Sequence, residues 1–163
     1  MPRPYSPLAL ANEFIVCSNG AGLDHMKLQK LVYCAHGWWL VQHNDPIVSE
    51  KPEVWRHGPV FSSLYSALAG HAAQAITSPQ RAAFGQSAPR IDDQDEEACD
   101  LIDFVWNRYG GFSALYLSEL THKKGTPWQI TAASHQYRVP RHHPISDELI
   151  RAEFQRLAHQ GAA

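Results

Sequence analysis

A mainly α-helical fold is what this sequence predicts: one compact domain of about six or seven helices around a buried central helix, with a small β-hairpin or extended segment near 47–57. Three observations carry that expectation. Leu28, Leu31, Ala35, Trp38 and Trp39 recur at the spacing of one helical face. Ser, Thr or Asp stands ahead of one apolar-periodic run after another. The β-capable residues that are not helical by pattern cluster in one short stretch punctuated by Gly and Pro. The 163 residues are enough for a core without disulfides, and no internal repeat divides them, so a single domain over 1–163 is expected.

In chain order, Ser6-Pro7 supplies a cap and a first helical residue for a helix through Leu8, Ala11, Phe14 and Ile15, ended by Asn19-Gly20. Asp24 caps the central helix, which runs to about Gln42 and stops at Asn44-Asp45-Pro46. Val32, Cys34, Leu40 and Val41 spread apolar character around it, the mark of a helix buried on most sides. Ile47-Val48 and Glu53 to Trp55 are the two β-capable pieces. Gly58 is free to take positive φ, and Pro59 is placed to open the next helix, with Val60, Phe61, Leu64 and Leu68 as its apolar face. Residues 71–92 carry too few large apolar side chains to bury and are expected to form a loop excursion. The acidic run Asp92 to Glu97 then leads a helix on Leu101, Ile102 and Val105, its charges suited to the first-turn dipole. Ser113, Thr126 with Pro127, and Ser146 open three more helices, the last on Ile150, Phe154 and Leu157.

Composition narrows the function classes. The formal charge of -2 and the absence of any long Lys/Arg cluster disfavour nucleic acid as a partner. No apolar run approaches the ~20 residues a membrane helix needs, and the N-terminus has no signal-peptide pattern. Three widely spaced cysteines in apolar contexts fit free thiols in a reducing cytoplasm, the expected location.

The ten histidines form no H-E-x-x-H helix, no C-x-x-C exists, and His142-His143 point apart, so no metal is expected. G-x-S-x-G and phosphate-loop patterns are absent too, and no cofactor is expected. An enzymatic alternative is a hydrolytic site assembled from His57 and His122 with an acidic residue brought in by folding.

The central helix carries one anomaly, a polar stripe of Gln29, Lys30, Tyr33 and His36 inside an apolar segment. Buried polar groups need partners, so either their tips bond internally or the stripe floors a recognition groove. Trp55, Arg56, His57, Gly58, Pro59, Tyr65, His122 and Trp128 lie near chain breaks, and Trp, Tyr and Arg at a groove are typical anchors of protein recognition. Trp38 and Trp106 are assigned to the core. A shared groove at the junction of Gln29-Lys30-Tyr33 with Trp55-Pro59 requires Lys30 and Trp55 to be close.

The series ANEFI, MKLQKLVYCAHGWWL, VWRHGPVFSSLY and LSELTH followed by PW resembles the Panacea, or SocA-like, antitoxin domain, which also includes phage-associated GepA-type proteins. The resemblance runs from about Ala11 to Ala132, and His57 departs from the aromatic residue usual at its position. It implies a helical antitoxin that neutralises a cognate toxin by direct binding, in one branch as an adaptor delivering the toxin to a Clp-type protease. A phage-linked interaction protein without a toxin partner is the other non-enzymatic alternative. By motif position, the resemblance assigns Leu28, Gln29, Lys30, Leu31, Tyr33, His36, Trp55, Gly58, Pro59, Val60, Tyr65, His122, Pro127 and Trp128 to the family pattern.

Overall fold

Side-chain caps start the helices where local chemistry requires them. A computed structural model describes residues 2–161. In it, Ser6 accepts from the Ala9 amide and Pro7 takes the first helical position of α1 (Pro7–Cys17), while Asn19 at positive φ turns the chain away. Asp24 accepts from Lys27 N to open α2 (His25–Gln42). Each such cap is worth about 1 kcal/mol by satisfying an otherwise orphaned amide.

Helix α2 is the central helix. Leu28, Leu31, Val32, Ala35 and Leu40 are fully or almost fully buried, and Gly37 admits the ring of Phe154, whose atoms would lie within 2.5 Å of a Cβ there. The helices around it are α3 (Ser62–Leu68, continued by a short 3-10 turn to His71), α4 (Glu96–Tyr109), α5 (Ala114–His122), α6 (Pro127–Ser134) and α7 (Asp147–His159). Of these, α1, α3, α4, α5 and α7 pack directly on α2. Asp95, Ser113, Thr126 and Ser146 cap α4, α5, α6 and α7 through their side chains.

Two expectations about the segment after α2 are corrected. The hairpin is built from β1 (Glu53–Trp55) and β2 (Gly58–Val60), antiparallel, with Trp55 opposite Gly58 and Val54 opposite Pro59. Ile47 and Val48 are not part of it: they are buried and occupied by Tyr5, whose amide donates to Ile47 O and whose carbonyl accepts from Ser49 N. Pro59 sits within β2 and does not open α3, which starts at Ser62 behind Phe61. Its missing N–H is tolerated because Val54, opposite it, directs its own amide outward to His143 O.

Residues 72–95 hold no helix and are tied down. Leu23 and Ile76 exchange two backbone hydrogen bonds, and Ile76 and Ile91 are buried. Asn12, fully buried on α1, donates to Gln80 O and Pro89 O and accepts from Gln80 N. No described helix is long and apolar enough to cross a membrane.

Candidate functional site

The N-terminal half of α2, the hairpin tip, α3 and the start of α5 enclose a groove of about 620 Å³. Gln29, Lys30, Trp55, Arg56, His57 and Tyr65 all line it, so the polar stripe and the hairpin do meet, and Lys30 and Trp55 share one surface.

Its floor is rigid because α2 holds the strand leaving the hairpin. Gln29 Oε1 accepts from Phe61 N at 2.9 Å, and its Nε2 donates to Phe61 O at 3.2 Å. Lys30 Nζ donates to Pro59 O at 2.8 Å. Burial draws the Lys30 ammonium down from the usual lysine range to about 8. Gly58 has φ of +116°, and a Cβ there would stand 3.1 Å from Lys30 Cε, so both backbone angle and space call for glycine.

The walls are aromatic and half open. Trp55 and Tyr65 pack with ring centroids 4.8 Å apart, and Tyr65 continues onto His25 at 5.2 Å. Arg56 and His57 occupy the exposed hairpin tip. The groove also uses His25, Met26 and Leu115, which the sequence reading missed. His25 and Met26 were findable, since they lie one helical turn before Gln29 and Lys30 on the same face.

His122 and Trp128 do not line the groove but brace the hairpin from behind. Trp128 Nε1 donates to Trp55 O at 2.7 Å, the His122 ring packs edge-on against Trp128, and Ser118 Oγ donates to His57 O at 2.6 Å. Gly58 and Pro59 are buried backbone elements of the turn and the strand behind it.

Tyr33 and His36 lie outside the groove, a correction with a helical cause: they are three and six positions beyond Lys30 and face α7. His36 is buried, with Nε2 against Asp147 Oδ1 at 3.0 Å. That hydrogen bond, helped by Lys51, holds the Asp147 carboxyl down at about 2. Tyr33 lines a different cavity of about 410 Å³ against α4–α7, and its hydroxyl has no hydrogen-bond partner among the described residues. Burial pushes its ionisation well above the ordinary tyrosine value.

Of the two histidines of the hydrolytic alternative, His57 lines the groove and His122 stands behind the hairpin against Trp128. His122 Nδ1 faces the carbonyl of Ser118, which makes that nitrogen a donor, and Ser118 Oγ is committed to the His57 carbonyl. Ser118 therefore has no base at His122 Nδ1. Among the described residues, no group of three or more His, Cys, Asp or Glu side chains is placed to hold a metal ion.

Comparison with known proteins now bears on this groove. Residues 28–129 match the family described as antitoxin SocA-like, Panacea domain. The chain belongs to the SocA-like Panacea family. The match begins at Leu28 in the central helix and ends just past Trp128, so it contains the groove floor, the hairpin and both braces. Among curated relatives of this Panacea chain is Antitoxin SocA of Caulobacter vibrioides, 28% identical over 160 residues, covering 94% of this chain and 84% of that protein. No solved structure matches.

Proposed function

We propose that this Panacea protein is an antitoxin that neutralises a toxin by direct binding, and that the groove between α2 and the hairpin is its contact surface. The observation that carries the reading is the preformed groove, most of whose lining falls inside the family-matched segment, with Trp55, Tyr65 and Arg56 at its open side. Aromatic and arginine side chains around a partly desolvated pocket are the usual hot spots of protein–protein binding. The rim is braced by the Trp128–Trp55 and Gln29–Phe61 hydrogen bonds, so little ordering entropy is lost on binding. Delivery of the bound toxin to a Clp-type protease would follow that capture and would need a second surface.

Co-expression with the product of the adjacent gene tests the reading. Growth arrest by that product alone, relief by the wild-type chain, and loss of relief with Arg56→Glu at the exposed tip are the expected results. A non-toxic neighbour, or full relief by both Arg56→Glu and Tyr65→Ala, would overturn it.

A further inference from the structure

The groove contains a positive charge that the chain itself leaves unbalanced. Lys30 is 1% exposed, and Pro59 O is its hydrogen-bond acceptor. Among the described residues no Asp or Glu offsets its charge. A tie to a backbone carbonyl is served equally well by a neutral donor, whereas a buried, unpaired ammonium is expensive to desolvate. Two of its three N–H groups remain after the bond to Pro59. Gly58 lies against the ammonium, and a Cβ there would stand 3.2 Å from Lys30 Nζ and 3.3 Å from Thr121 Oγ1.

One further cation lines the groove. Arg56 stands at the tip, and burial together with Lys30 pushes His25 down toward its neutral form. Asp24, the acidic residue in the lining, is committed to capping α2 at Lys27 N. Apolar wall is supplied by Met26, Trp55, Tyr65 and Leu115, the last 69% exposed. One buried cation among apolar walls suits a single carboxylate with an apolar neighbour. A phosphodiester backbone would instead favour a row of exposed cations, on a chain whose formal charge is -2.

We infer that the groove takes an acidic segment of its protein partner, an Asp or Glu carboxylate answering Lys30 while an adjoining apolar side chain lies on Trp55, Tyr65 and Leu115. This deepens the contact-surface reading above and rests on it.

The test uses the full chain and two capped pentapeptides, acetyl-Gly-Leu-Glu-Leu-Gly-amide and its Gln counterpart. Each is titrated at millimolar concentration and followed by proton–nitrogen NMR at the Trp55 indole and the Gly58 amide. The Glu peptide is expected to bind roughly tenfold more tightly than the Gln peptide, and Lys30→Met to abolish the preference. No binding by the Glu peptide, equal affinities, or a preference that survives in Lys30→Met would each overturn the inference. Equal perturbation by inorganic phosphate would overturn it in favour of a phosphate ligand. The comparison of the two peptides on the wild-type chain stands even if Lys30→Met folds poorly. In the growth assay, full relief by Lys30→Met with loss of relief by Arg56→Glu would sink the acidic anchor and leave the contact surface standing.

Discussion

Gln29 grips Phe61 by both of its backbone groups, accepting from the amide at 2.9 Å and donating to the carbonyl at 3.2 Å. The side-chain amide thereby does what a neighbouring strand would do for the residue that leaves β2 and enters α3. Phe61 has no side-chain cap of its own, so this clamp sets where α3 begins and where Tyr65 stands in the groove.

Gln29→Leu keeps the volume but strands the buried Phe61 amide, while the Phe61 carbonyl keeps the Tyr65 amide as its donor. The expected loss is about 1–3 kcal/mol of folding stability, the desolvation penalty of one group. Urea denaturation measures it. A loss below the size of one ordinary hydrogen bond would show that water reaches Phe61 and that the clamp is dispensable.

Gly58→Ala combines two penalties at one atom. The φ of +116° disfavours any Cβ, and that Cβ would meet Lys30 Cε at 3.1 Å. The expected cost is roughly 1–3 kcal/mol, with the hairpin tip displaced. Thermal unfolding reads the first effect, and loss of the Trp55 indole NMR position reads the second.

Much of this was legible in the sequence because it is local. Ser6, Asp24, Ser113, Thr126 and Ser146 cap the helices assigned to them, since a cap is decided within four residues of chain. The meeting of Lys30 with Trp55 was expected from a hairpin and a Gly58-Pro59 turn beside the central helix. What sequence could not supply were choices between competing long-range partners. Ile47-Val48 looked as strand-like as Glu53 to Trp55, and only the docking of Tyr5 takes it out of the hairpin. Tyr33 and His36 shared a polar stripe with Lys30, but a helix presents successive turns to different neighbours, and α7 claims these two. His122 and Trp128 brace the hairpin, a role that motif spacing does not distinguish from lining the groove.

The His36–Asp147 contact makes the seating of α7 sensitive to acid. Asp147 has its folded-state ionisation lowered from 3.8 to about 2, so its contribution is present above 3.8 and is lost as pH falls toward 2. Partial solvent access limits the effect to about 1 kcal/mol. Asp147→Asn is expected to flatten the wild-type loss of stability in that window, as followed by denaturant titration at successive pH values. An identical acid profile in both proteins would detach this pair from the anchoring of α7.

Lys30 has the opposite sign and a different window. Its folded-state value is lowered from 10.5 to about 8, so between those limits the unfolded chain holds a proton that the folded chain has released. Stability therefore rises with pH across the interval, by at most about 3 kcal/mol for a shift of this size. Tyr5 and Tyr109 work against this in overlapping alkali: burial pushes each up to about 12, which costs stability once the unfolded tyrosines ionise. They are common to wild type and Lys30→Met, so the difference between the two proteins reports Lys30 together with Cys34, whose thiol burial pushes up to about 12 and whose charge couples to Lys30. Below pH 8 Lys30→Met gains by removing an unpaired charge and loses the bond to Pro59 O, two effects that largely offset. Above it, the wild type should gain steadily on the variant up to about pH 10.5. Urea midpoints for both proteins across that range measure the gap. If the gap stays constant, Lys30 is either paired or solvated in the folded chain, and the groove lacks the uncompensated cation that an acidic partner would answer.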